Sequence, residues 1–102
     1  MCIESEMKRN AEKIRKHIIF FGRVQGVGFR WHATNFANSA GLTGWVQNLE
    51  DGTVEMEVQG TEEKIDKLII YLENRDYVLI EKMECKSLPL ETNEWEFRER
   101  GW

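Results

Sequence analysis

The chain has 102 residues, 41% hydrophobic and 31% charged, with a net charge of −4. That is one domain with a core of its own, without the basic surface of a nucleic-acid binder or an apolar run of membrane-spanning length. Its two cysteines, Cys2 and Cys85, form no CxxC pair and stand at no ligand spacing to His17 or His32. No metal site is expected, and both thiols read as free in a reducing, cytoplasmic setting, a Cys2–Cys85 bridge being the alternative.

Residues 1–16 read as a polar N-terminal extension, flexible or partly helical and without the apolar centre of a secretion signal. The domain proper is expected over 17–102. Residues 17–23 form a short apolar run closed by Gly22-Arg23, a buried strand. From Phe29 the spacing becomes helical: Phe29, Ala33, Phe36, Ala37 and Ala40 share a face, and Gly41 stops it. Leu42 to Asn48 reads as a second strand, and Glu50-Asp51-Gly52 as the hairpin turn after it. Val54, Met56 and Val58 alternate with glutamates and Gln59, so the third strand buries one face and ends at Gly60.

Thr61 is placed to cap a second helix whose stripe is Ile65, Leu68, Ile69 and Leu72. Asn74-Arg75-Asp76 breaks it. A fourth strand is predicted over about Leu79 to Ser87, with a phase slip between Ile80 and Met83 that indicates a bulge. Pro89 lies in the next turn, and Trp95 and Phe97 alternate with charged residues as a short last strand. Strand, helix, strand, strand, helix, strand implies a two-layer α+β sandwich, ferredoxin-like βαββαβ with a short extra C-terminal strand.

The chemistry concentrates in Gly22-Arg23-Val24-Gln25-Gly26-Val27-Gly28-Phe29-Arg30, where a strand gives way to a helix. A glycine loop of this kind turns successive N–H groups inward as an anion nest. The helix start adds its free N–H groups, and Arg30 adds a planar fork matched to phosphate oxygens. The glycine spacing is neither a dinucleotide fingerprint nor a Walker loop. A tight turn alone would also use these glycines. Asn48, where a strand meets its turn, reads by itself as a turn residue. Its amide is also able to hold a water against a bound phosphorus.

Taken together, the run from Gly22 to Arg30 and the run Gly44-Trp45-Val46-Gln47-Asn48, continuing through Gly52 and Val54 to Gly60, resemble the two signature motifs of the acylphosphatase family. The resemblance covers about residues 17–98 and implies a ferredoxin-like fold. It implies that Arg30 binds the substrate phosphate together with the N–H groups of Val24, Gln25, Gly26, Val27, Gly28 and Phe29. It implies that Asn48 orients the attacking water, and that the substrate is a small acyl phosphate, a mixed anhydride of carboxylate and phosphate. The expected protein is a cytoplasmic, cofactor-free monomer acting alone. Arg23 and His32 are expected at the surface, Trp31 at the surface or in packing, and Trp45 in strand packing, with a wall of the pocket as the alternative. One rival is a non-catalytic phosphate or acyl-phosphate binding module of the same fold. The other is a ferredoxin-like RNA-binding module, which Glu55 and Glu57 on one strand face oppose.

Overall fold

A computed structural model describes residues 12–101. Its elements are β1 (Lys13–Arg23), α1 (Phe29–Ala40), β2 (Thr43–Asn48), β3 (Val54–Thr61), α2 (Glu62–Glu73), β4 (Leu79–Leu88) and β5 (Phe97–Arg100). The strands form one sheet in the order β4-β1-β3-β2-β5. β1 runs antiparallel to β3 and β4, β2 antiparallel to β3, and β5 parallel to β2. Both helices lie on one sheet face, which is the two-layer α+β arrangement the element order implies.

The alternation of side chains decides the two faces. Ile18 and Phe20 of β1, Val46 of β2, and Val54, Met56 and Val58 of β3 are buried against the helices. Ala33 and Ala37 bring α1 close to the sheet, and Ile65, Leu68 and Leu72 bury the stripe of α2. Phe20 meets Phe29 edge-on at 5.0 Å, joining β1 to the start of α1. Thr61 caps α2 by accepting a hydrogen bond from the Lys64 N–H at 3.4 Å. It does so as the last residue of β3, which runs on through Gly60 instead of ending there.

Further boundaries differ from the sequence reading. β1 begins at Lys13, so residues 13–16 belong to the sheet; residues 1–11 of the expected extension lie outside the described residues. Strand pairing explains the longer strand, since Lys13 to Lys16 align with Val58 to Thr61. The last strand begins at Phe97, not at Trp95, whose side chain is 85% exposed. Residues 91–96 instead cross the open face of the sheet, where the Glu91 N–H and C=O both bond the Gln59 side chain.

The bulge is where the phase slip put it. Phe21 pairs with Lys82 and Gly22 with Ile80, leaving Glu81 without a partner. β4 is an edge strand with most side chains exposed, among them Cys85 with a free thiol. Cys2 lies outside the described residues. Among the described residues no helix is long and apolar enough to cross a membrane.

Candidate active site

Between Arg23 and Phe29 the chain leaves the sheet and enters α1 through a loop pinned at both ends, Val24 and Phe29 being buried. Gly26 (φ 72°) and Gly28 (φ 78°) take the left-handed conformation that side chains disfavour. Gly28 is the N-cap of α1 and brings no side-chain cap. The first helical bond runs from the His32 N–H to the Gly28 carbonyl at 2.9 Å, so the N–H groups of Phe29, Arg30 and Trp31 precede the ladder. Among the described residues, the N–H groups of residues 25–28 also meet no acceptor. The result is a run of unpaired donors at the positive end of a helix.

The loop is fastened to the β2–β3 hairpin by one side chain. Gln25 Nε2 donates to the Leu49 carbonyl at 2.7 Å and to the Thr53 carbonyl at 2.9 Å. The turn is itself rigid: the Thr53 hydroxyl and N–H donate to the Asp51 carboxylate at 2.6 and 3.0 Å. The Thr53 hydroxyl, followed by its N–H, holds the Asp51 carboxyl below its ordinary range.

Asn48 ends β2 beside this junction. Its Oδ1 is buried and has no hydrogen-bond partner. A buried carbonyl oxygen left unpaired costs about 1–3 kcal/mol, which a bound donor such as water would relieve. Arg30, in the first turn of α1, donates from Nη1 to the Arg100 carbonyl of β5 at 2.9 Å. One arm of the fork is thereby fixed, and the other donors meet no protein acceptor among the described residues.

These parts line one cavity of about 140 Å³, with Val24, Gly26, Gly28, Phe29 and Arg30 on one side and Asn48 on the other. Trp31 and Glu99 complete the lining. Of the expected phosphate-binding set, Gln25 and Val27 turn their side chains away, Gln25 to the hairpin and Val27 against the core. Only their N–H groups are left for a ligand.

Three neighbours need comment. His32 is not a surface residue: it is half-buried, its Nδ1 enclosed without a partner and its ring edge-on to Trp31 and Tyr71. It packs beneath the loop, because a Cβ on Gly28 would come within 3.5 Å of it. Trp45 lies on the opposite sheet face, with the Arg100 guanidinium 4.2 Å above its ring. Arg23 is exposed at its strand end, as expected.

That opposite face holds a larger depression of about 420 Å³, lined in part by Trp45, Glu94, Trp95 and Arg98. Two of its acids are matched, Glu94 by Arg15 and Glu96 by Arg98 at 3.4 Å, and Arg100 stacks on Trp45. Arg15, only 3% exposed, holds Glu94 through two bonds of 2.7 and 3.1 Å and Glu57 through one of 3.0 Å. Burial pushes the Glu94 carboxyl up, but the Arg15 bonds outweigh it and the net shift is downward. Glu55 is likewise lowered against its burial by His17 and Gln47. The run of unpaired backbone donors and the unpartnered Asn48 Oδ1 belong to the smaller cavity. Sequence reasoning missed Arg15 and the bracing role of Gln25. The one signal for Arg15 was that the sheet-face alternation of Ile18 and Phe20 extends back to Ile14.

The acylphosphatase family model matches residues 16–98. An acylphosphatase of Geobacillus kaustophilus is 41% identical over 85 residues, 82% of this chain and 90% of that protein. One of Thermococcus kodakarensis is 48% identical over 58 residues, 57% of this chain and 64% of that protein. The match thus spans under two thirds of the Thermococcus relative. The crystal structure of an acylphosphatase from Bacillus subtilis superimposes with a TM-score of 0.78 at 28% identity, covering 86% of this chain and 99% of that one.

Proposed function

The chain belongs to the acylphosphatase family, and from that premise we propose that it hydrolyses carboxyl–phosphate mixed anhydrides to a carboxylate and inorganic phosphate. The observation that carries this reading is the single cavity shared by the unpaired loop donors, the Arg30 fork and the orphaned Asn48 Oδ1.

In the proposed reaction the loop N–H groups and Arg30 hold the phosphoryl oxygens. Asn48 Oδ1 accepts a hydrogen bond from a water and aims its oxygen at phosphorus, opposite the acyl oxygen. The water oxygen bonds to phosphorus as the phosphorus–acyl oxygen bond breaks, and the carboxylate departs with the electron pair. A dianionic acyl phosphate and water give a carboxylate and a dihydrogen phosphate anion. Both water protons end on the phosphate, so no protein group needs to change its protonation state. A carboxylate, the conjugate base of an acid of pKa about 4, leaves without a proton, which removes the need for a general acid. The remaining task is to position the water and stabilise charge on the equatorial oxygens, which fixed donors in a small site supply. The same reading makes the protein a cytoplasmic monomer whose turnover is independent of added metal and which engages neither nucleic acid nor membrane.

The test is phosphate release from benzoyl phosphate in EDTA, run in ¹⁸O-labelled water. The expected result is turnover with the label in inorganic phosphate. Label in benzoate would place the attack at the acyl carbon and overturn the mechanism. Phosphate binding without turnover would make the protein a non-catalytic binding module of the same fold.

A further inference from the structure

Trp31 and Glu99 line the cavity without serving the phosphate. Trp31 follows Arg30 directly, yet its indole is 61% exposed. Glu99 stands on β5 opposite Val46 and on the same side of the strand as buried Phe97, which turns it toward the helix layer that carries Arg30. Its side chain makes no ion pair among the described residues. A free carboxylate beside an anion cradle weakens binding of phosphate alone. Its useful effect falls on whatever accompanies the phosphate.

The exposure of the lining says where that companion goes. Val24 and Phe29 are buried, whereas Trp31 and Glu99 are exposed and stand toward solvent. A phosphoryl group lies against the loop donors and Arg30. The acyl group then projects past the rim, where it meets the exposed indole and the unpaired carboxylate.

We infer that Trp31 and Glu99 form an acyl-group subsite that favours uncharged, flat or apolar acyl groups and rejects acyl groups carrying a second carboxylate. This rests on the reading that the cavity holds the phosphoryl group. The indole offers a broad apolar face to an aryl or alkyl group. Glu99, itself exposed, repels a distal carboxylate a few ångströms away, and at that distance such repulsion changes affinity by about 5–10-fold. Neither residue touches the reacting atoms; both act on selection.

The experiment uses non-hydrolysable phosphonates in which a methylene replaces the bridging oxygen, so that selection is read as binding and does not depend on turnover. One carries a phenyl acyl group and the other an acyl chain ending in a carboxylate. Each is titrated calorimetrically, beside inorganic phosphate, into the full chain and its Glu99→Gln and Trp31→Ala variants. The wild type should prefer the phenyl compound. Glu99→Gln should narrow that preference by about 5–10-fold by strengthening binding of the carboxylated compound. Trp31→Ala should weaken the phenyl compound by ~3–10-fold and leave inorganic phosphate within about twofold. An unchanged phenyl-to-carboxylate ratio in both variants would overturn the subsite. Loss of turnover in the wild type with these ratios as stated would overturn the proposed hydrolysis and leave the subsite standing. Failure of phosphate and both phosphonates to bind would overturn both.

Discussion

In the proposed reaction Arg30 and Asn48 divide the work of the site, because their side chains differ in what they offer. Arg30 is a cationic, donor-only side chain that presents a planar fork. With Nη1 committed to the Arg100 carbonyl at 2.9 Å, the fork keeps one orientation and its free N–H groups face the cavity region. A lysine at this position would supply charge but neither the fixed plane nor the second donor pair. Asn48 offers a neutral acceptor, its buried Oδ1, next to a site built for anions. An aspartate there would add a negative charge against the phosphate it faces. Neutrality is therefore part of how Asn48 holds a water without expelling the ligand. Glu99 breaks this pattern from the rim, which is why its effect is assigned to the acyl group.

At the scale of elements, the site depends on the strand-to-helix loop and the β2–β3 turn keeping a fixed distance. Gln25 alone among the loop side chains crosses that gap, bonding the Leu49 and Thr53 carbonyls. Gln25→Ala removes two hydrogen bonds from a half-buried junction, at about 0.5–1.5 kcal/mol each, and should cost roughly 1–3 kcal/mol in urea unfolding; both carbonyls keep a backbone donor, the Gly52 N–H on Leu49 and the Leu49 N–H on Thr53. It should also lower turnover by more than it lowers phosphate affinity, because the loop keeps its own donors while Asn48 loses its reference. Unfolding curves and phosphate titrations of the one variant check both parts. This junction is also where the sequence was least informative. The glycine run, the Asp51-Gly52 turn and the helical face from Phe29 are local patterns, and each was legible from its own residues. Gln25 bonding across 24 and 28 residues is a long-range contact with no local signature. The role of Arg15 was hidden for a related reason: a charged residue at a chain end reads as solvated until the 91–96 segment is known to cover it.

For the molecule as a whole, the two faces of the sheet do separate jobs. The helix face holds the apolar core and, at one end, the anion cavity. On the open face an ion pair from Arg15 to Glu94 and amide hydrogen bonds between Gln59 and Glu91 position residues 91–96 and hence the start of β5. Arg15 lowers the Glu94 carboxyl, and His17 with Gln47 lowers that of Glu55, in both cases against burial. A carboxyl whose folded pKa lies below its unfolded value stabilises the fold above that unfolded value, about 4.3, and loses the contribution as pH falls through the folded one. The urea midpoint should accordingly hold steady near neutrality and drop below about pH 4.5. Glu94→Gln should cost roughly 1–3 kcal/mol at pH 7 and flatten the acid slope. An unchanged slope would show that Arg15 and Glu94 are not coupled in solution. Because β5 also supplies the carbonyl that holds Arg30, the open face steadies the Arg30 fork from behind. The measurement that bears most directly on the account is turnover of benzoyl phosphate and inhibition by inorganic phosphate, both determined for Arg30→Ala and Asn48→Ala. Both variants should lose at least about 10²–10³-fold in turnover; phosphate inhibition should weaken strongly in Arg30→Ala and stay near wild type in Asn48→Ala. Turnover close to wild type in either variant, or equal loss of phosphate affinity in both, would contradict the division of labour between the fork and the amide.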